Sequence, residues 1–219
     1  MGGDIPVLKK CFRDERYTIE VFERELEANI DELRHHGLFF SFTTDPLIFG
    51  TNELTIEAIC FCLRNDVPVK VLTKCVDYIG QLKYAIELNE WDKSMVAFGF
   101  TLTGHDELEP NASTNAERID AMRKLHDAGY KTFASIEPII DFECSREMIV
   151  KTMDFCDLYK IGLESGKKYD KADLATFIHA VLFWKIPVYF KDSLLKQAGI
   201  SRESLPANCI DRDYNLFNP

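Results

Sequence analysis

Apolar residues recur along this chain at two alternating spacings. Ile19, Phe22, Leu26, Ile30 and Leu33 fall three and four apart, which predicts a helix over 16–36. Gly37 then supplies its stop. Leu38-Phe39-Phe40-Ser41-Phe42-Thr43 is a short apolar run and reads as a buried strand. Asn52 or Thr51 can cap the next helix, whose apolar side holds Leu54, Ile56, Ile59 and Leu63. Strands over 69–73, 95–102, 131–137, 156–162 and 187–190 follow, separated by helices near 76–88, from Ser113 or Thr114 to Gly129, from a Ser145 cap through Met153, and over 171–183. The stretch over 194–219 reads as a short helix and an irregular tail.

Strands alternating with amphipathic helices predict βαβ units and a parallel sheet in a single α/β domain over 1–219, with 1–14 as an N-terminal extension. Six such strands fit a doubly wound open sheet or a barrel, and composition does not choose between them. No GxGxxG follows the first strand, which argues against a dinucleotide-binding sheet. The chain opens on a helix rather than a strand. An open strand edge needs a cover. The expectation is that a first strand is missing and that the N-terminal segment, the C-terminal tail or a neighbouring chain packs against Leu38–Thr43.

Twenty-six basic and thirty-six acidic side chains give a net charge of −10, which speaks against broad binding to a phosphate backbone. No apolar run approaches the length of a membrane helix, and Met1–Lys10 has no signal-peptide core, so a cytoplasmic location is expected. The seven cysteines (Cys11, Cys60, Cys62, Cys75, Cys144, Cys156 and Cys209) include no CxxC pair and read as reduced thiols. They provide no metal site.

Parallel α/β folds place ligands at the carboxyl ends of their strands, where this chain collects polar residues. Ser41, Thr43 and Asp45 share one parity, and Lys74 follows Thr73 at the next strand end. Thr101-Leu102-Thr103 leads into Gly104-His105-Asp106-Glu107. Ser135 and Glu137 share a parity, as do Lys160 and Glu164, and the last strand runs into Lys191 and Asp192. Such lysines and carboxylates suit acid–base work or a Schiff base. His105 with Asp106 and Glu107 reads first as a solvated loop, with a metal cluster as the alternative.

Taken in order, Ser41-Phe42-Thr43-Thr44-Asp45-Pro46, Val69-Lys70-Val71-Leu72-Thr73-Lys74, Glu109-Pro110, Glu117-Arg118 and Ala134-Ser135-Ile136-Glu137-Pro138-Ile139-Ile140 resemble the radical S-adenosylmethionine superfamily. The likeness is greatest to the branch around spore photoproduct lyase and its phage-associated relatives, and it extends from about Lys9 to Asn218. The resemblance implies a partial parallel (β/α)6 TIM-like barrel, here without its first strand. It also implies S-adenosylmethionine contacts at Thr43, Thr44, Asp45, Lys74 and Thr101. Glu137, Glu164, Lys191 and Asp192 match family-like positions and become the catalytic candidates, with Glu109 and Arg118 beside them. The family's CxxxCxxC motif, whose thiolates hold a [4Fe–4S] cluster, is absent from this sequence. The cluster is therefore expected only in a full-length parent.

Three readings follow. The chain is the larger part of a radical S-adenosylmethionine enzyme and is inactive alone. Alternatively it is a non-catalytic barrel that binds S-adenosylmethionine or a nucleotide, or an unrelated enzyme using Lys191 or Lys160 with Glu137 or Glu164. The substrate is not legible.

Overall fold

The strands carry β-branched and aromatic side chains at alternate positions, and the two faces of the sheet separate them. The computed structural model describes residues 13–40 and 45–218. Six strands, β1 (Leu38–Phe40), β2 (Val69–Thr73), β3 (Val96–Thr101), β4 (Lys131–Ile139), β5 (Leu158–Leu163) and β6 (Val188–Phe190), pair in parallel in sequence order. Helices α1 (Glu15–Ala28), α2 (Ile30–His36), α3 (Asn52–Arg64), α4 (Ile79–Leu88), α5 (Asn115–Asp127), α6 (Phe142–Thr152), α7 (Lys171–Phe183) and α8 (Asp192–Ala198) precede or connect them. No ladder joins β1 to β6 among the described residues, so the α/β sheet forms a partial TIM-like barrel with a seam. Ser41, Thr43 and Thr44 lie outside the described residues.

On the helix side, Val69, Val71, Phe98, Phe100, Ile136, Ile161 and Phe190 are fully buried in one continuous core with Ile59, Leu82, Met122, Ile149 and Phe177. Each such side chain contributes roughly 1.5–3 kcal/mol by leaving water. The other face holds a smaller apolar cluster of Ala97, Phe133, Leu158 and Leu216, with Phe39, Leu72, Ile210, Tyr214 and Phe217 against it. Gly99 belongs to this face for a steric reason. A Cβ there would stand 2.1 Å from the Phe133 ring, so only glycine lets that ring lie across β3.

The C-terminal tail crosses the seam. Near β6, Val188 N–H donates to Asn208 O at 3.0 Å and Ile210 N–H returns a bond to Val188 O at 2.9 Å. At the β1 side, Asn215 Nδ2 donates to His35 O at 2.8 Å, and Phe217 reaches Gly37. The tail therefore runs from β6 to the residues before β1, lying against the inner face; among the described residues no strand pairs with the outer edge of β1.

Two local expectations change. The helix over 16–36 is two helices, because Asn29 leaves helical geometry at φ −121° and ψ 22° and its side chain bonds back to Glu25 O at 2.8 Å. Helix α6 starts before Ser145: Asp141 is the cap, accepting from Cys144 N–H at 2.8 Å, while the Ser145 hydroxyl donates to Asp141 O inside the first turn. At α5 the choice falls on Thr114, which forms a reciprocal capping box with Glu117.

Candidate functional site

Strand register builds the inner wall row by row. Thr101, Ser135, Lys160 and Tyr189 stand side by side on β3, β4, β5 and β6. Beneath them, Leu72, Gly99, Phe133 and Leu158 form the next row. Polar groups thus gather toward the strand ends above an apolar layer, and together they enclose a cavity of about 580 Å³ whose lining also includes Lys70, Glu137, Lys191 and Arg212.

Glu137 and Lys191 meet in this cavity at 2.5 Å. Their contact depends on Gly162, where a Cβ would lie 2.8 Å from the Glu137 carboxyl and 2.9 Å from the Lys191 chain. Lys160 has a different setting. Its ammonium lies over the rings of Phe39 and Phe133, 5.0 and 5.5 Å from their centroids, and no acceptor among the described residues takes it. Burial, then repulsion from Lys70 and Lys191, pulls its pKa down to about 8. Burial also lowers that of Lys70, which donates to His36 O at 3.2 Å.

A second network occupies the β2 and β3 ends. Asp45 accepts from the Thr73 hydroxyl at 2.7 Å, from Lys74 N–H at 2.6 Å and from Leu47 N–H at 3.0 Å. Both of its oxygens are thus committed to holding the loop after β1 against the end of β2. The Lys74 ammonium pairs with Glu109, whose other oxygen accepts from Arg118 Nη1 at 2.8 Å. Arg118 is fully buried and also donates to Thr101 O at 2.8 Å, while its Nε and Nη2 have no partner among the described residues. One side of Lys74 remains open, with 41% of its side chain exposed.

The trio His105-Asp106-Glu107 divides. Asp106 takes the backbone and side-chain N–H groups of Asn115, both at 2.6 Å. His105 bridges Glu107 at 2.7 Å and Asp141 at 2.5 Å. Those two carboxylates, Glu107 first, raise its pKa. One donor atom each from His105, Asp141 and Cys144 lies within 4.8 Å of the others, inside the reach of a metal ion, yet the two carboxylates already satisfy both ring nitrogens. No three thiols converge among the described residues, so the residues present do not fit a [4Fe–4S] cluster.

Of the catalytic candidates, Glu137, Lys191 and Asp192 line the cavity. Glu164 does not: it is exposed beyond β5 and pairs with Lys167 at 3.4 Å. Asp192 is bound to Arg202 at 2.6 Å. Of the cofactor candidates, Asp45, Lys74 and Thr101 join one network, and Thr43 and Thr44 lie outside the described residues. Sequence reasoning overlooked Lys70, Tyr189 and Arg212. Lys70 was within reach, since a lysine inside Val69–Thr73 takes the parity opposite to the buried valines. Arg212 sits on the tail, where no periodicity points inward.

Neither a protein-family model nor a curated protein matches the chain. Solved structures do. The chain is similar to Streptococcus suis SuiB at 13% identity and a TM-score of 0.55, over 84% of this chain and 47% of that one. SuiB bound to precursor peptide SuiA matches at 14% identity and a TM-score of 0.59, over 86% and 46% of the two chains. SuiB bound to S-adenosylmethionine matches at 12% and 0.57, over 85% and 47%. The chain spans about half the length of these structures. At such identity the likeness is one of fold alone, and it agrees with the partial barrel that the sequence resemblance implies.

Proposed function

We propose that this barrel binds S-adenosylmethionine at the β2 and β3 ends and holds a second ligand in the adjoining lysine-lined cavity. The observation that carries this reading is the pair formed by Lys74 and Glu109 at the barrel mouth. The amino-acid end of S-adenosylmethionine is a zwitterion. An ammonium and a carboxylate held side by side are complementary to it, the lysine for its carboxylate and the glutamate for its ammonium. Buried Arg118 fixes Glu109, so half of the pair is preorganised. Asp45 acts indirectly, by fixing the backbone of Lys74. The solved neighbour that holds S-adenosylmethionine adds support through its fold.

When bound, S-adenosylmethionine supplies a sulfonium centre. Reductive use of that centre needs an electron donor, and this chain has no CxxxCxxC to hold one. The chain by itself therefore binds without radical turnover, in the reducing cytoplasm that its six described free thiols suit. The test is calorimetric titration of the purified chain with S-adenosylmethionine. Binding is expected, weakened roughly tenfold or more by Lys74→Ala, a loss of about 1.4 kcal/mol or more. No binding by the wild-type chain overturns the proposal.

One observation favours a second reading. Lys160 is desolvated and has no carboxylate partner among the described residues, as suits an imine-forming lysine. Lys191, bound to Glu137, is not. Borohydride trapping of carbonyl compounds on Lys160, lost in Lys160→Ala, is its signature; an untouched Lys160 across aldehydes and ketones dismisses it.

A further inference from the structure

A chain with a net charge of −10 encloses a cavity ringed by cations. Lys70, Lys160, Lys191 and Arg212 line it, against Glu137, Asp192 and Asp211. Two of the three carboxylates are engaged. Glu137 holds Lys191 at 2.5 Å, and Asp192 is held by Arg202 at 2.6 Å. Lys160 is left on the inner wall between Ser135 and Tyr189, its register neighbours, with the rings of Phe39 and Phe133 beside its ammonium.

Ring faces compensate a desolvated ammonium only in part, and buried charges are as a rule paired and hydrogen-bonded. Lys160 also repels Lys70 and Lys191, and among the described residues no carboxylate pairs with it, Asp211 being the one lining carboxylate without an ion-pair partner there. Neutral donors stand next to it: the hydroxyls of Ser135 and of Tyr189, whose pKa is raised by burial, so that the phenol keeps its proton. Below this polar band the lining turns apolar at Phe39, Leu72, Leu158 and Ile210. The volume, about 580 Å³, is that of a small-molecule site.

We propose that this cavity receives a small amphiphilic anion, its carboxylate or phosphate group taken by Lys160 with Ser135 and Tyr189, and its apolar body lying on the Phe39 and Leu158 side. The inference deepens the proposed function only in naming the second ligand's chemistry; the anion site itself does not require S-adenosylmethionine. A free phosphate and a carboxylic acid share the recognition, and separate probes tell them apart.

The experiment is calorimetric titration of the full chain with inorganic phosphate and, separately, with hexanoate. Binding of either near one equivalent is expected, at least about tenfold weaker in Lys160→Met and partly restored in Lys160→Arg. Phosphate binding alone marks a phosphate ester; hexanoate binding alone marks a carboxylate. S-adenosylmethionine affinity should be the same in wild type and Lys160→Met. Failure of both anions to bind, or undiminished binding in Lys160→Met, overturns the inference whatever S-adenosylmethionine does. Loss of S-adenosylmethionine binding with the anion arm intact overturns the proposed function and leaves this site standing. Far-ultraviolet circular dichroism of Lys160→Arg and Lys160→Met verifies that each variant is folded.

Discussion

The mouth of this barrel handles charge in two ways. At the β2 and β3 ends, Lys74, Glu109 and Arg118 form a chain of opposite charges, and Asp45 is saturated by N–H and O–H donors. At the β4 to β6 side, Lys160 sits among other lysines with aromatic rings for company. The first arrangement fixes loops as well as presenting the Lys74–Glu109 pair, since Asp45 ties the loop after β1 to the end of β2 and Glu109 ties the loop after β3 to Lys74 and Arg118. In the second, a charge is left uncompensated inside a cavity, which stabilises nothing in the chain itself. A charge placed so fits the anion receptor proposed above. Arg118 lies between the two cases, its charge paired while its Nε and Nη2 have no partner among the described residues.

The comparison breaks most readily at Glu109. If the β2 and β3 network is structural, Glu109→Gln leaves the guanidinium of Arg118 buried without a counter-charge. Removing one partner of a buried pair costs about 3–5 kcal/mol, and urea unfolding of the variant should show a loss of that size. A loss below about 1 kcal/mol would place the pair with exposed ion pairs and end the contrast.

Lys160 should respond in the opposite direction. Lys160→Met keeps the unbranched side chain to within one atom and removes its charge, so the folded protein no longer holds a desolvated ammonium. A folded-state pKa near 8 against an ordinary 10.5 corresponds to a cost to the folded wild type on the order of 3 kcal/mol at neutral pH, which the variant escapes. The sign follows from proton counts. Between pH 8 and 10.5 the unfolded wild type binds more protons at this lysine than the folded one, so wild-type stability rises with pH there. The advantage of the variant should therefore be greatest below pH 8 and shrink toward 10.5. Urea unfolding of both proteins across that range measures it; an advantage constant with pH would show that the charge of Lys160 is not the source.

Gly162→Ala sharpens the contrast within the cavity. The added methyl would collide with Glu137 and Lys191 at 2.8 and 2.9 Å, an overpacking that typically costs about 1–3 kcal/mol. The barrel should remain folded while the ion pair separates, freeing Lys191 to join Lys160 as an anion receptor. Tighter phosphate or hexanoate binding by this variant is the expected result, and weaker binding would mean that the Glu137–Lys191 pair itself shapes the receptor.

Much of this was legible in the sequence. Alternation of apolar runs located all six strands, and the helix over 171–183 ends where periodicity said it would, since Asp170 caps it and Lys185 turns away at φ 55°. Competition among local hydrogen bonds was harder to read. Asn29 divides a continuous apolar stripe, and Asp141 displaces Ser145 as a cap because its carboxylate reaches Cys144 N–H. At the site, parity told which lysines and carboxylates share a face but not which pair. Glu137 and Lys191 are 54 residues apart, and the glycine that admits them lies on a third strand. That Lys160 meets two rings and no acceptor among the described residues is a property of the assembled wall and has no sequence signature.

The smallest effect belongs to a place outside both networks. His105 stands between Glu107 and Asp141 on the loop after β3, and the two carboxylates hold its pKa above the ordinary 6.5. Protonation is then favoured in the folded state. The resulting stability is fully present below the unfolded pKa and is lost as pH rises through the raised folded value. His105→Gln should accordingly cost more at low pH than at high pH, and salt should erode the difference because the partners face water. The ring-proton chemical shift of His105, followed by nuclear magnetic resonance against pH, gives the folded value directly. A midpoint at or below 6.5 would mean that the carboxylates do not hold an imidazolium there, and the loop would owe its position to Asn115 and Asp106 alone.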